Sequence, residues 1–189
     1  MQAIAIARPG GPDVLELRDM ASPTPADGEV LIRIAAAGVN APDLSQRRGD
    51  YPPPPDHSPL PGLEVSGEIV HTAGNWKVGD HVVALTNGGG YAEYVAVPAG
   101  QVLPLPKGWS LIDAAALPET WFTVTQTLVM RAGLAPGMSV LIHGAAGGIG
   151  GAAIQVCRIL GADPIAIVSS AYASSTRCCS NSRREDKAW

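Results

Sequence analysis

Apolar and polar residues alternate with period two along the first half of the chain, over residues 2–7, 14–19, 29–37, 62–71, 80–85 and 91–97. Such alternation sets one side of each stretch against a core and the other towards water, which predicts short β-strands. Turn-forming clusters separate them: Pro9-Gly-Gly-Pro12, Ser22-Pro-Thr-Pro-Ala-Asp-Gly28, Thr72-Ala-Gly-Asn75 and Asn87-Gly-Gly-Gly90. Many short strands without long helices predict a small barrel or sandwich. One segment breaks the pattern. Residues 41–48 suit a short helix, and Gly49-Asp-Tyr51-Pro-Pro-Pro-Pro55 follows as a loop whose prolines have no N–H to donate, which suits the wall of a cleft.

From Ser110 onward the texture becomes helical. Ser110-Leu-Ile-Asp113 reads as a capping start, and Pro118 stands in the first turn of a helix predicted over 119–132. Gly133 and Gly137 then stop it, placing a domain boundary between Gly108 and Pro118. Val140-Leu-Ile-His143 is a short apolar run, Gly144-Ala-Ala-Gly147-Gly-Ile-Gly150 a glycine turn, and residues 151–160 are helix-compatible; Gly161 precedes a second apolar run, 164–168. Strand, tight turn, helix and strand in that order describe a parallel crossover. Glycines at these places let the backbone approach a pyrophosphate, and a helix opening near Gly148 aims free N–H groups and its positive dipole end at an anion.

Composition narrows the function classes. The 189 residues carry a formal net charge of −4, which excludes nucleic acid and anionic membranes as main partners. No apolar run is long enough to span a bilayer and the N-terminus alternates like a strand, so the expected location is the cytoplasm. The cysteines are Cys157, inside the predicted helix, and the adjacent Cys178 and Cys179. They form neither a disulfide framework nor a zinc-ligand spacing, and Cys157 reads as a small core residue.

A set of motifs in fixed order carries more information than any one of them: Gly38-Val-Asn40-Ala-Pro-Asp43, Gln46-Arg-Arg-Gly49-Asp-Tyr51, Pro61-Gly-Leu-Glu64-Val-Ser-Gly67, Val78-Gly-Asp80-His-Val, Gly90-Tyr-Ala-Glu93-Tyr and Leu117-Pro-Glu-Thr-Trp121-Phe-Thr123. On these, residues 1–170 resemble the zinc-independent, zeta-crystallin-like quinone oxidoreductases of the medium-chain dehydrogenase/reductase superfamily. The resemblance implies an α/β chain in which a GroES-like β-barrel domain, 1–115, precedes the start of an NADPH-binding Rossmann domain, 116–170, with 171–189 as a polar tail foreign to the pattern. Zinc-dependent relatives have Cys where this chain has Asn40 and His where it has Leu63, so no metal is expected.

The implied reaction is hydride transfer from NADPH to a small-molecule quinone, with Tyr51 at the substrate cleft as a candidate proton donor or pocket wall. Asn40 and Thr123 are expected near the nicotinamide, and Gly144, Gly147, Gly148, Ile149 and Gly150 at the pyrophosphate. Glu64 is expected as a structural partner within the barrel. Bland roles compete: Asn40 can cap the helix that follows it, and Thr123 can bond back within its own helix. Ser169 and Ser170, at the end of the second parallel strand, offer hydroxyls rather than a carboxylate for a ribose 2′-hydroxyl, and Arg177 a later cation, which favours NADPH over NADH. Asp163 stands at the wrong end of that strand.

Other readings are a medium-chain enoyl reductase on the same scaffold and an inactive fragment. The fragment reading arises because a Rossmann sheet needs more strands than 140–143 and 164–168 supply. On that reading the chain is C-terminally truncated or frameshifted near Ser169, binds NADPH weakly or not at all, and lacks the outer strands through which family homo-oligomers pair.

Overall fold

A computed structural model describes residues 1–55 and 57–169; Ser170, Arg177, Cys178 and Cys179 lie outside the described residues. The chain divides into two compact units, the first Met1–Glu119 and the second beginning at Thr120.

In the first unit β1 (Gln2–Ile6) and β2 (Leu15–Asp19) form an antiparallel ribbon. β3 (Glu29–Ala37), β4 (Glu64–His71), β5 (His81–Leu85), β6 (Tyr94–Pro98) and β7 (Val102–Pro104) form an antiparallel sheet in the order β6-β3-β4-β5-β7. Its core is β-branched. Val30, Ile32, Val65, Ile69, Val82, Val95 and Val97 are buried, and alternate positions of β3 and β6 turn outward. Full burial of each such side chain stabilises by about 1.5–3 kcal/mol before entropy is charged against it. α1 (Ala41–Arg48) interrupts the strands between β3 and β4, and Gly49 closes it in the left-handed region at φ 90°.

Several strand limits differ from the alternation. Val14 belongs to a 3₁₀ turn, Pro12–Val14, because Pro12 starts the turn and the buried Val14 packs against Gly10. β4 begins only at Glu64, since Gly62 takes φ 99° and turns the chain. Tyr91 lies outside β6 because its N–H bonds Pro61 O instead of a ladder partner. β7 is an unpredicted edge strand; Pro104 and its short length hide it from periodicity.

α2 (Leu111–Ala114) is capped by Ser110, whose Oγ accepts the Asp113 N–H at 3.1 Å. α3 (Pro118–Val124) carries the chain into the second unit. The single helix expected over 119–132 is instead α3 followed by a π-helical segment, Thr125–Arg131. Thr127 supplies a reason: its Oγ1 donates to the carbonyls of Thr123 (2.8 Å) and Val124 (3.3 Å), and the Ala132 N–H reaches back five residues to Thr127 O.

β8 (Ser139–His143) and β9 (Asp163–Ile167) pair in parallel through α4 (Gly148–Ile159). α4 buries Ala152, Ala153, Val156 and Cys157 in a cluster with Ile142 and Val124. Cys157 is fully buried, a packing role. Among the described residues no helix is long and apolar enough to cross a membrane.

Candidate functional site

In the first unit the residues of the ordered motifs converge on a buried polar cluster. Asn40 is the N-cap of α1, and it and Asp43 cap one another: Asp43 Oδ2 accepts the Asn40 N–H at 2.8 Å. The Asn40 side chain also turns towards β4, its Nδ2 donating to Glu64 Oε1 at 2.8 Å. The other oxygen of Glu64 accepts the Glu119 N–H at 2.9 Å, in the first turn of α3. Asp43 Oδ1 accepts the Gly62 N–H, and Asp43 Oδ2 also accepts the Tyr91 hydroxyl, both at 2.9 Å. Asp43 and Glu64 are 4% and 2% exposed, so nearly every acceptor site on them must be met inside the protein. Gly38 makes room for the cluster, because a Cβ there would overlap the Glu64 carboxyl.

The electrostatics follow from that burial. Desolvation pushes the Glu64 carboxyl up, against the lowering effect of its bonds to Asn40 and Glu119. Glu119 is also raised, by burial first and then by the charges of Glu64 and Asp43. The Tyr91 phenol is driven up by burial and by the charge and hydrogen bond of Asp43. Asn40 is therefore both a helix cap and a clamped amide, its orientation fixed by a carboxylate that can only accept. Among the described residues no three His, Cys, Asp or Glu side chains gather as a metal site.

Tyr51 lines a separate cleft of the same unit, about 110 Å³, with Gln46, His57, Leu63, Thr86 and Asn87 around it. Tyr51 is half exposed. His57, a few residues further along the same segment and without ligand-like spacing in the sequence, lines it as well.

The second unit holds the glycine turn. Gly144 takes φ 63°, and its carbonyl accepts the Gly147 N–H at 2.9 Å. The first α-helical bond runs from the Gly151 N–H to Gly147 O at 2.8 Å, leaving the N–H groups of Gly148, Ile149 and Gly150 without a main-chain acceptor. Gly150 is demanded by packing: a Cβ there would lie 2.5 Å from Ala145 Cα and 2.6 Å from Gly144 O. Gly144 and Gly147 are exposed, and a Cβ on Gly144 would point into open space. These residues fit an anionic pyrophosphate: bare backbone, unfilled donors and a helix dipole.

The Ala145 N–H bonds Ile167 O at 3.1 Å, so the end of β9 is tied to the turn and Ser169 follows two residues later, exposed. Thr123 is half-buried in α3, and its carbonyl, not its hydroxyl, enters the bond with Thr127.

Residues 26–107 match the alcohol dehydrogenase GroES-like domain. The chain is 40% identical over 161 residues to the synaptic vesicle membrane protein VAT-1 homolog-like of Mus musculus, spanning 83% of this chain and 38% of that protein. The crystal structure of CurK enoyl reductase superposes with a TM-score of 0.84 at 30% identity, over 94% of this chain and 57% of that one. The quinone oxidoreductase from Thermus thermophilus, described with its NADPH complex, is 41% identical with a TM-score of 0.72, over 88% of this chain and 52% of that one. The chain thus spans about half the length of the relatives it matches. The matched GroES-like domain, the strand–glycine turn–helix unit behind it and these relatives place the chain in the medium-chain dehydrogenase/reductase superfamily, with similarity to a quinone oxidoreductase and to an enoyl reductase.

Proposed function

We propose that the chain comes from a cytoplasmic, metal-independent NADPH:quinone oxidoreductase. The observation that carries this reading is the glycine-lined start of α4, with three unfilled N–H groups and an exposed backbone in front of them. Similarity to a quinone oxidoreductase described with NADPH supports the cofactor. When bound, the reduced nicotinamide supplies a hydride, and the rest of the protein's task is positioning.

In this reading Gly147, Gly148 and Ile149 hold the pyrophosphate. Asn40, clamped by Glu64, and Thr123 orient the nicotinamide, and the 2′-phosphate is assigned to the hydroxyls of Ser169 and, outside the described residues, Ser170. Asn40 and Leu63 in place of metal ligands fit a quinone, which is already electrophilic and needs no Lewis acid. Tyr51 shapes the quinone cleft.

NADPH fluorescence on titration with the 189-residue chain tests the cofactor. Saturable quenching with a blue shift is expected, and it is expected to be weak, since the described parallel sheet offers β8 and β9 alone. No saturable change up to millimolar protein sites would overturn the assignment. Similarity to an enoyl reductase supports a second reading, delivery of hydride to an activated C=C bond. Parallel turnover assays with 1,4-benzoquinone and an enoyl thioester decide between them, and selective use of the thioester would reverse our choice.

A further inference from the structure

The cleft beside Tyr51 contains a titratable group that the reading above leaves without a task. His57 lines it, half-buried, and its imidazole makes no hydrogen bond or ion pair with any described residue. Every other polar side chain of the cleft is Gln46, Tyr51, Ser58, Thr86 or Asn87, so the titratable groups among the lining residues are His57 and Tyr51. The imidazole sits on a fixed frame. The backbone N–H of His57 bonds Pro54 O (3.0 Å), and the next residue, Ser58, donates its N–H to Asn87 O (3.0 Å) and accepts the Leu60 N–H on Oγ (3.2 Å). Gly88, at φ 80°, lies so close to that strand of chain that a Cβ would come within 2.7 Å of Ser58 O. Gln46 Nε2 ties the same loop to α1 through Pro59 O at 3.0 Å. Pro52 to Pro55 stiffen the approach from the other side.

We infer that His57 is the proton donor for a single-ring quinone bound in this cleft. The inference rests on the quinone-reductase reading and deepens it. Addition of one hydride converts a quinone to its hydroquinone monoanion; one proton passed from the His57 imidazolium to the anionic oxygen completes the hydroquinone, and solvent returns a proton to the imidazole. The monoanion would otherwise lie against Leu63 and the prolines, where an unpaired charge is unfavourable. A phenol is a far weaker acid than an imidazolium, so Tyr51 is the poorer donor near neutral pH and serves as a wall. Size sets the substrate class: a cavity of about 150 Å³ holds benzene, so a cleft of about 110 Å³ open at one side seats one ring.

Two readouts on the full chain test this. In the first, anaerobic 1,4-hydroquinone, which does not add to thiols as quinones do, is titrated while the histidine ring proton resonances are followed by NMR, with His57→Gln identifying the His57 signals. In the second, NADPH-dependent turnover of 1,4-benzoquinone is measured against pH for wild type and His57→Gln. Saturable shifts of the His57 signals, together with a rate about 100-fold lower in His57→Gln, are expected. Turnover unaffected by His57→Gln overturns the inference and leaves the quinone-reductase reading intact. Absent turnover with shifted His57 signals supports the cleft as a quinone site and counts against the activity of this chain, and unshifted signals overturn the site whatever the turnover.

Discussion

Glu64 is the residue on which the polar cluster of the first unit depends, and its replacement has a calculable cost. Its two oxygens accept separate buried donors, Asn40 Nδ2 at 2.8 Å and the Glu119 N–H at 2.9 Å. Glu64→Ala strands both. A buried donor without a partner costs about 1–3 kcal/mol, and the vacated volume adds a cavity term, so the expected loss is about 3–5 kcal/mol. Glu64→Gln keeps the volume but has only one acceptor oxygen; its NH2 must face a donor, for an expected loss of about 1–3 kcal/mol. Urea unfolding of the three proteins gives these differences. With a slope of about 2 kcal/mol per molar, Glu64→Ala should move the midpoint down by about 1.5–2.5 M, and Glu64→Gln by about 0.5–1.5 M. Amide hydrogen exchange at Glu119 provides the local readout and should accelerate in both variants.

The same residue sets a pH dependence. Burial raises the carboxyls of Glu64 and Glu119 in the folded protein, so the folded state holds these protons more tightly than the unfolded chain does. The stability they contribute is fully present below the ordinary glutamate value and is lost as pH rises through the raised folded values. Wild type should therefore lose stability over that window. Glu64→Gln, keeping only the Glu119 contribution, should lose less, so the gap between the two narrows as pH rises. Equal pH slopes for wild type and Glu64→Gln, or a Glu64→Ala midpoint within about 0.3 M of wild type with unchanged exchange at Glu119, would refute the reasoning.

Two further substitutions probe the neighbouring geometry. Gly150→Ala drives a methyl into the backbone of Ala145 and Gly144, at 2.5 and 2.6 Å, with no flexible side chain able to yield; a stability loss of about 1–3 kcal/mol is expected, with loss of the NADPH fluorescence change. Tyr91→Phe removes one of the donors to Asp43 and should cost about 1–2 kcal/mol in urea unfolding. In wild type the Tyr91 phenol, raised by burial and by Asp43, should fail to ionise in an alkaline absorbance titration until the protein unfolds.

How far the sequence reveals this molecule depends on the distance over which each feature is determined. The glycine turn is local: a strand, glycines at 144, 147 and 150 and a helix from Gly148 are all readable from one short window, and the left-handed backbone of Gly144 and the tight contact of Gly150 are what such spacing requires. The antiparallel strands are equally local, failing where a proline or a positive-φ glycine shifts an edge, as at Pro12, Gly62 and Pro104, or where an amide bonds outside the ladder, as at Tyr91. The π-helical segment is not readable, because residues 125–131 are ordinary helix formers by periodicity. What widens the ladder is Thr127 bonding the carbonyls of Thr123 and Val124.

The polar cluster lies at the other extreme, and that explains why a sequence can name its members without stating their work. Asn40 and Asp43 are three residues apart and read as a cap, yet Asp43 meets Tyr91 across 48 residues and Glu64 meets the Glu119 amide across 55. No period or spacing encodes such pairs; only the closing of the sheet does. The same closure explains why Asn40 fills two roles that looked like competitors. At an exposed helix start a capping Asn is free to turn, whereas here Glu64, with 2% of its surface exposed, has no water to replace the Asn40 amide. Asn40 thus caps α1 while Glu64 holds its amide in one orientation, as the place proposed for it at the nicotinamide requires.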